Sequence, residues 1–162
     1  MIPTADVTPS DREIVLRRIL NAPRELVWEA FTDPEHVHNW WGPRGITITV
    51  RDMDVRPGGF WLFTMHAPDG SKYQERIEYL EVRKPERLVF FHGSDQDNDP
   101  HKFHVTLTFA DQGATTEFVA RMLFNTVEQR DQTIGFGAIE LGNQTYDRLN
   151  EYFAAGMRGM TH

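Results

Sequence analysis

Between residues 12 and 124, short runs rich in β-branched and aromatic residues alternate with clusters of Pro, Gly, Asp and Asn. This is the pattern of an antiparallel sheet made of short strands. The first run, residues 12–21, closes at Ala22-Pro23, where proline stops the strand. Pro23 then opens a helical stretch in which Leu26, Val27, Ala30 and Phe31 share one face and Glu25 sits at the positive amino end. Asp33-Pro34 supplies an N-cap and a first-turn proline for a second short helix, predicted to run to Trp40-Trp41 before Gly42-Pro43 breaks it. Six further strands are predicted at residues 46–55, 60–66, 72–82, 87–92, 101–110 and 115–124. Pro57-Gly58 suits the centre of a type II turn, and Pro68-Asp69-Gly70 and Asp111-Gln112-Gly113 are also turn clusters, so consecutive strands pair as a meander.

The period changes after residue 125. Thr126 and Gln129 have the spacing of a capping box, and Ile134, Ala138, Leu141, Thr145, Leu149 and Phe153 then recur every three or four positions. A long amphipathic carboxy-terminal helix is predicted. Gly135, Gly137 and Gly142 each cost about 0.8 to 1 kcal/mol inside it, which calls for a local reason. A break or pocket mouth near Phe136 is one, and close approach to the sheet or to a second subunit is another. The expected fold class is α+β: a curved seven-stranded antiparallel sheet against a carboxy-terminal helix, with two short helices between the first and second strands. Residues 12–156 would form one domain, with flexible segments at 1–11 and 157–162.

Composition narrows the function classes. The 162 residues are 40% apolar and 25% charged, enough for one real core. A net charge of −7 with no basic run argues against nucleic acid as a partner. The absence of cysteine excludes disulfides, thiolate metal sites and a thiol nucleophile. No apolar stretch is long enough to span a membrane and no signal peptide is recognised, so a soluble, most simply cytoplasmic, protein is expected. Aromatic residues reach 12%, which suits a large-ringed core or the lining of a ligand cavity.

Several side chains are candidates for chemistry. Tyr73, Glu75, Ile77 and Tyr79 share one face of the fourth predicted strand. If that face is inward, Glu75 is a carboxylate among apolar neighbours, able to exchange protons or hold a ligand amine or hydroxyl; if outward, Arg76 or Arg83 pairs it at the surface. His66 and His92 end aromatic strands and are candidates for proton transfer or for capping the rim. His101 and His104 point to opposite faces, and His36 and His38 do not share a helix face, so neither pair chelates a metal. Asp95, Asp97 and Asp99 imitate the start of a calcium loop, but Pro100 and Thr106 stand where it needs Gly and Glu. No metal or other cofactor is expected. Trp61, Phe63 and Met65 share a face, as do Phe103 with Phe109 and Phe118 with Met122. With Trp40 and Phe90 they form either a packed core or the wall of a cavity.

Residues 22–34 followed by Trp40-Trp41-Gly42-Pro43, the segment 54–61 with Pro57-Gly58-Gly59 and Trp61, residues 85–90, and the closing stretch 142–149 together resemble one family. It is the activator of heat-shock protein 90 ATPase homologue-like branch of the START-related (SRPBCC) helix-grip superfamily. The resemblance covers about residues 12–153 and implies a sheet gripping a helix around an internal pocket. Its members range from co-chaperone domains to lipid carriers, hormone receptors and polyketide cyclases. The expected function is binding of a small hydrophobic, aromatic or lipid-like ligand by Trp40, Trp61, Phe63, Met65, Tyr73, Glu75, Tyr79, Phe90, Phe103, Phe118, Met122 and Phe136. An alternative is an acid–base enzyme, a cyclase, dehydratase or hydrolase, using Glu75 with His92 or His66. The third is a co-chaperone-like interaction module; these 162 residues have no room for the additional chaperone-contacting domain, which argues against a chaperone partner. Trp40-Trp41 would be a pocket rim, or an exposed patch that allows a homodimer.

Overall fold

The alternation of apolar and polar positions becomes a sheet with one wet and one covered face. The computed structural model describes residues 4–6 and 11–158. In chain order the elements are β1 (Thr4–Asp6), β2 (Glu13–Leu20), α1 (Arg24–Thr32), α2 (Pro34–Val37), β3 (Thr47–Met53), β4 (Phe60–His66), β5 (Lys72–Arg83), β6 (Arg87–Ser94), β7 (Phe103–Gln112), β8 (Thr115–Leu123), α3 (Val127–Gly135) and α4 (Ala138–Ala154). The sheet order is β1-β2-β8-β7-β6-β5-β4-β3, all antiparallel. β3 to β8 form the expected meander, and β2 reaches β8 because α1 and α2 carry the chain across the sheet. The seven expected strands are joined by three-residue β1, which pairs with β2 inside a segment expected to be loose. The remainder of that segment, residues 1–3 and 7–10, and residues 159–162 of the expected tail lie outside the described residues.

Two register shifts, at Val50/Asp52 in β3 and Tyr79/Glu81 in β5, bend the sheet as bulges do. Only glycine fits the turn before β4: a Cβ on Gly59 would lie 2.1 Å from the Asp54 carbonyl oxygen. The concave face carries Trp61, Phe63, Ile77, Tyr79, Phe90 and Leu107, all buried, with Phe31 of α1 and Trp41 of the loop after α2 lying over it. At its centre Phe31 of α1 meets Phe109 at 5.1 Å and Phe118 at 5.4 Å between ring centroids.

The long carboxy-terminal helix is two helices. Thr126 caps α3, its hydroxyl accepting from the Gln129 N–H at 3.0 Å, as its capping-box spacing implies. Gly137, at φ +96°, then turns the chain into α4, a conformation side chains rarely adopt. Gly142 serves differently: a Cβ there would meet Leu16 at 2.8 Å, so its absence lets α4 approach the sheet. Arg18 of β2 fastens that approach through Asp147 at 2.7 Å and the Asn143 carbonyl at 3.0 Å. Only the carboxy-terminal half of α4 is buried, at Arg148, Leu149 and Tyr152, and α3 buries none of its residues.

Candidate functional site

The strand period brings Glu75 to the concave face, level with Ile77 and Tyr79. Glu75 stands opposite Phe63 on β4, while His92 of β6 stands opposite Ile77 on β5 and Phe103 on β7. His92 Nε2 lies 3.4 Å from Glu75 Oε1, and both side chains are 20% exposed. The histidine ring is 5.3 Å from Phe103, 6.1 Å from Phe63 and 6.5 Å from Trp41. One carboxylate and one imidazole thus face each other on an otherwise aromatic wall. Such a pair can hold a hydroxyl or amine, or pass a proton.

Trp41 covers this wall. Its half-buried indole meets Trp61 edge-on at 4.8 Å and lies 6.1 Å from Phe63. Arg148 of α4 holds the loop that carries it. This arginine is 5% exposed. One guanidinium nitrogen donates to the carbonyls of Gly42 at 2.8 Å, Ile46 at 2.9 Å and Pro43 at 3.2 Å, and another to that of Asn39 at 3.4 Å. Burial, with Arg44 nearby, lowers the Arg148 pKa, against which Glu151 acts. Four carbonyls thus stand where a carboxylate partner would be expected. The Trp40-Trp41 doublet marked this loop in the sequence, but only the fold separates the roles of its members. Trp40 is fully buried against Phe31, its Nε1 donating to the Ala30 carbonyl at 3.0 Å, so it is neither rim nor exposed patch.

The other predicted lining residues divide by depth. Tyr79 and Phe90 are buried, 6.1 Å apart, and burial pushes the Tyr79 hydroxyl pKa up. Phe118 belongs to the packed core with Phe31 and Phe109. Met65, Phe103 and Met122 are half-buried. Tyr73 has the right face but is 55% exposed, because it lies at the start of β5, beyond the covering helices. Phe136 is 84% exposed at the α3–α4 break, so it does not line the concave face. His66 turns to the face opposite Met65, where its Nε2 is 2.8 Å from the Thr49 hydroxyl, far from a shared role with Glu75. Among Phe31, Trp41, Trp61, Ile77, Tyr79, Leu88, Phe90 and Leu107 lies a void of about 10 Å³. Aromatic rings fill the space.

The acidic loop is fully engaged within the fold. Asp95 accepts from Arg51 and Arg76, each at 3.0 Å, Asp97 accepts from Arg76 at 2.9 Å, and Asp99 accepts from the N–H groups of Ser94 and His101 at 2.9 Å. Among the described residues no group of three or more His, Cys, Asp or Glu is placed to hold a metal ion. Burial raises the Asp99 pKa, but hydrogen bonds from His101 and Ser94 outweigh it and hold the carboxyl below 3.8. A lowered folded-state pKa means stabilisation that is complete above the ordinary carboxylate range and lost as pH falls through the folded value. The stability advantage of wild type over Asp99→Asn, read as the difference between their urea midpoints, should therefore be largest near pH 7 and shrink as pH falls through the folded value.

A curved antiparallel sheet closed over a carboxy-terminal helix, with a polar pair on its concave wall, is the helix-grip class of α+β protein. Residues 21–154 match the family described as Activator of Hsp90 ATPase homolog 1-like protein, and the chain belongs to that family. A protein from Nitrosomonas europaea is similar in structure with a TM-score of 0.81 at 25% identity, over 92% of this chain and 98% of that one. One from Mycobacterium smegmatis gives 0.85 at 24%, over 96% and 99%. One from Arthrobacter aurescens gives 0.88 at 19%, over 98% and 95%, a likeness of fold alone. No curated protein matches the chain in sequence. No helix among the described residues is long and apolar enough to cross a membrane.

Proposed function

We propose that the protein binds a small, largely apolar aromatic or lipid-like molecule on the concave face, against the wall formed by Trp61, Phe63 and His92, in the place now taken by the Trp41 ring. The observation that carries this reading is the Glu75–His92 pair, 3.4 Å apart among aromatic rings, with His92 Nε2 buried and lacking a hydrogen-bond partner among the described residues. A core shaped only for stability has little reason to keep such groups inward, because each unsatisfied polar atom costs about 1 to 3 kcal/mol. A void of about 10 Å³ holds no such ligand, so entry requires a ring to move. Trp41 is the ring to move: it is half-buried, sits on a loop rather than a strand, and has Gly42 at φ +102° next to it.

Titration with the neutral fluorophore N-phenyl-1-naphthylamine tests the reading. One saturable site per chain, with quenching of tryptophan emission, is the expected result. Native mass spectrometry of the fresh protein should also reveal a co-purified small molecule that denaturation releases. Linear, non-saturating fluorescence together with a bare native mass would overturn the proposal. The same 3.4 Å contact supports a second reading, acid–base turnover of the bound molecule, whose mark would be activity that vanishes in Glu75→Gln.

A further inference from the structure

We propose that the ligand of this site is a neutral aromatic compound carrying a hydrogen-bond acceptor, a carbonyl oxygen in its simplest form, and that Trp61 Nε1–H donates to it. The inference rests on the ligand-binding reading above and names the class of ligand. Trp61 is 1% exposed, and its Nε1 is buried with no hydrogen-bond partner among the described residues. The contrast with Trp40 is direct: that indole is just as deeply buried, yet its Nε1 donates to the Ala30 carbonyl at 3.0 Å, as indoles in a packed core usually do. Trp61 instead borders the void, with Trp41 edge-on at 4.8 Å and Phe63 tilted at 4.4 Å. These rings offer no lone pair. A void of about 10 Å³ is at the lower limit for one water and has no room for a larger molecule, so an acceptor carried by a ligand reaches Trp61 only if Trp41 is displaced.

The acceptor should be neutral. Glu75 stands on the same wall, opposite Phe63, two residues along β4 from Trp61, and the chain carries a net charge of −7. A carboxylate or sulfonate ligand would meet the like charge of Glu75 at this wall, whereas a ketone, aldehyde, quinone or amide oxygen accepts from the indole N–H without that penalty. His92 Nε2, buried without a hydrogen bond although 3.4 Å from Glu75 Oε1, lies one strand beyond Ile77 and can take a second polar group on the same molecule.

Two probes of nearly equal shape separate this idea from simple greasiness: 2-acetonaphthone, with a carbonyl, and 2-ethylnaphthalene, with a methylene in its place. Each competes with N-phenyl-1-naphthylamine on the wild-type protein, while the indole N–H resonances are followed by NMR. The ketone should bind roughly tenfold more tightly than the hydrocarbon and shift the Trp61 indole proton, and Trp61→Phe should bring the two affinities together. Equal affinities in the wild type would overturn the inference and leave the ligand-binding reading standing. A ketone preference with the Trp61 resonance unmoved would overturn it as well, whether or not Trp61→Phe folds. Failure of both probes and of the fluorophore to bind would remove the ligand-binding reading and this inference with it.

Discussion

Arg148→Met should lower the unfolding free energy by about 3 kcal/mol, read as a lower urea midpoint with an unchanged slope. The cause is not loss of an ion pair. The guanidinium satisfies the carbonyls of Asn39, Gly42, Pro43 and Ile46 from a position 5% exposed, and methionine fills the volume while leaving those acceptors facing an apolar stem. Arg148→Lys should recover only part of the loss, because one ammonium cannot spread over four carbonyls as a planar fork does. The loop would loosen at the same time, and Trp41 with it. A red shift of tryptophan emission in Arg148→Met is therefore expected before the midpoint is reached. Wild-type stability in this variant would mean that water replaces the arginine without cost.

The second large effect is on binding. Trp41→Ala should tighten N-phenyl-1-naphthylamine roughly tenfold, because the ligand no longer has to undo the packing of an indole on Trp61 and Phe63, worth about 1.5 kcal/mol for a ring of this burial. Trp40→Ala is the control. That ring is fully buried against Phe31, and its loss should cost about 3 to 5 kcal/mol of stability without improving affinity. If Trp41→Ala binds no more tightly than wild type, the ligand does not enter where Trp41 lies, and the neighbouring wall loses its role.

Much of this architecture is legible in the chain. The turn clusters at Pro57-Gly58-Gly59, Pro68-Asp69-Gly70 and Asp111-Gln112-Gly113 bound strands within a few residues of where they lie, because turn chemistry acts through neighbours in sequence. The two-residue period likewise assigns Glu75 to the face of Ile77 and Tyr79, but not which face is covered. The helix break was visible as a cost, three glycines in a helical stretch. Their separate reasons, a left-handed turn at Gly137 and contact with Leu16 at Gly142, depend on what packs nearby. Residue type and position suggest Tyr73 and Phe136 as lining residues, yet both are exposed, since where a covering helix ends is not written in the periodicity of a strand.

By itself, then, the sequence determined the α+β class, the meander, the two short helices after the first long strand, and the family, since each depends on local propensity, turn residues or a contiguous motif. Only the tertiary structure decided that Glu75 meets His92 rather than His66, that Trp41 rather than Trp40 lies over Trp61, that Arg148 anchors the loop, and that the rings beside Trp61 leave a void of only about 10 Å³. These are relations between residues tens of positions apart. They are set by sheet register, by the pleat of each strand and by the volume the rings leave unfilled, none of which is encoded in the spacing of neighbours along the chain.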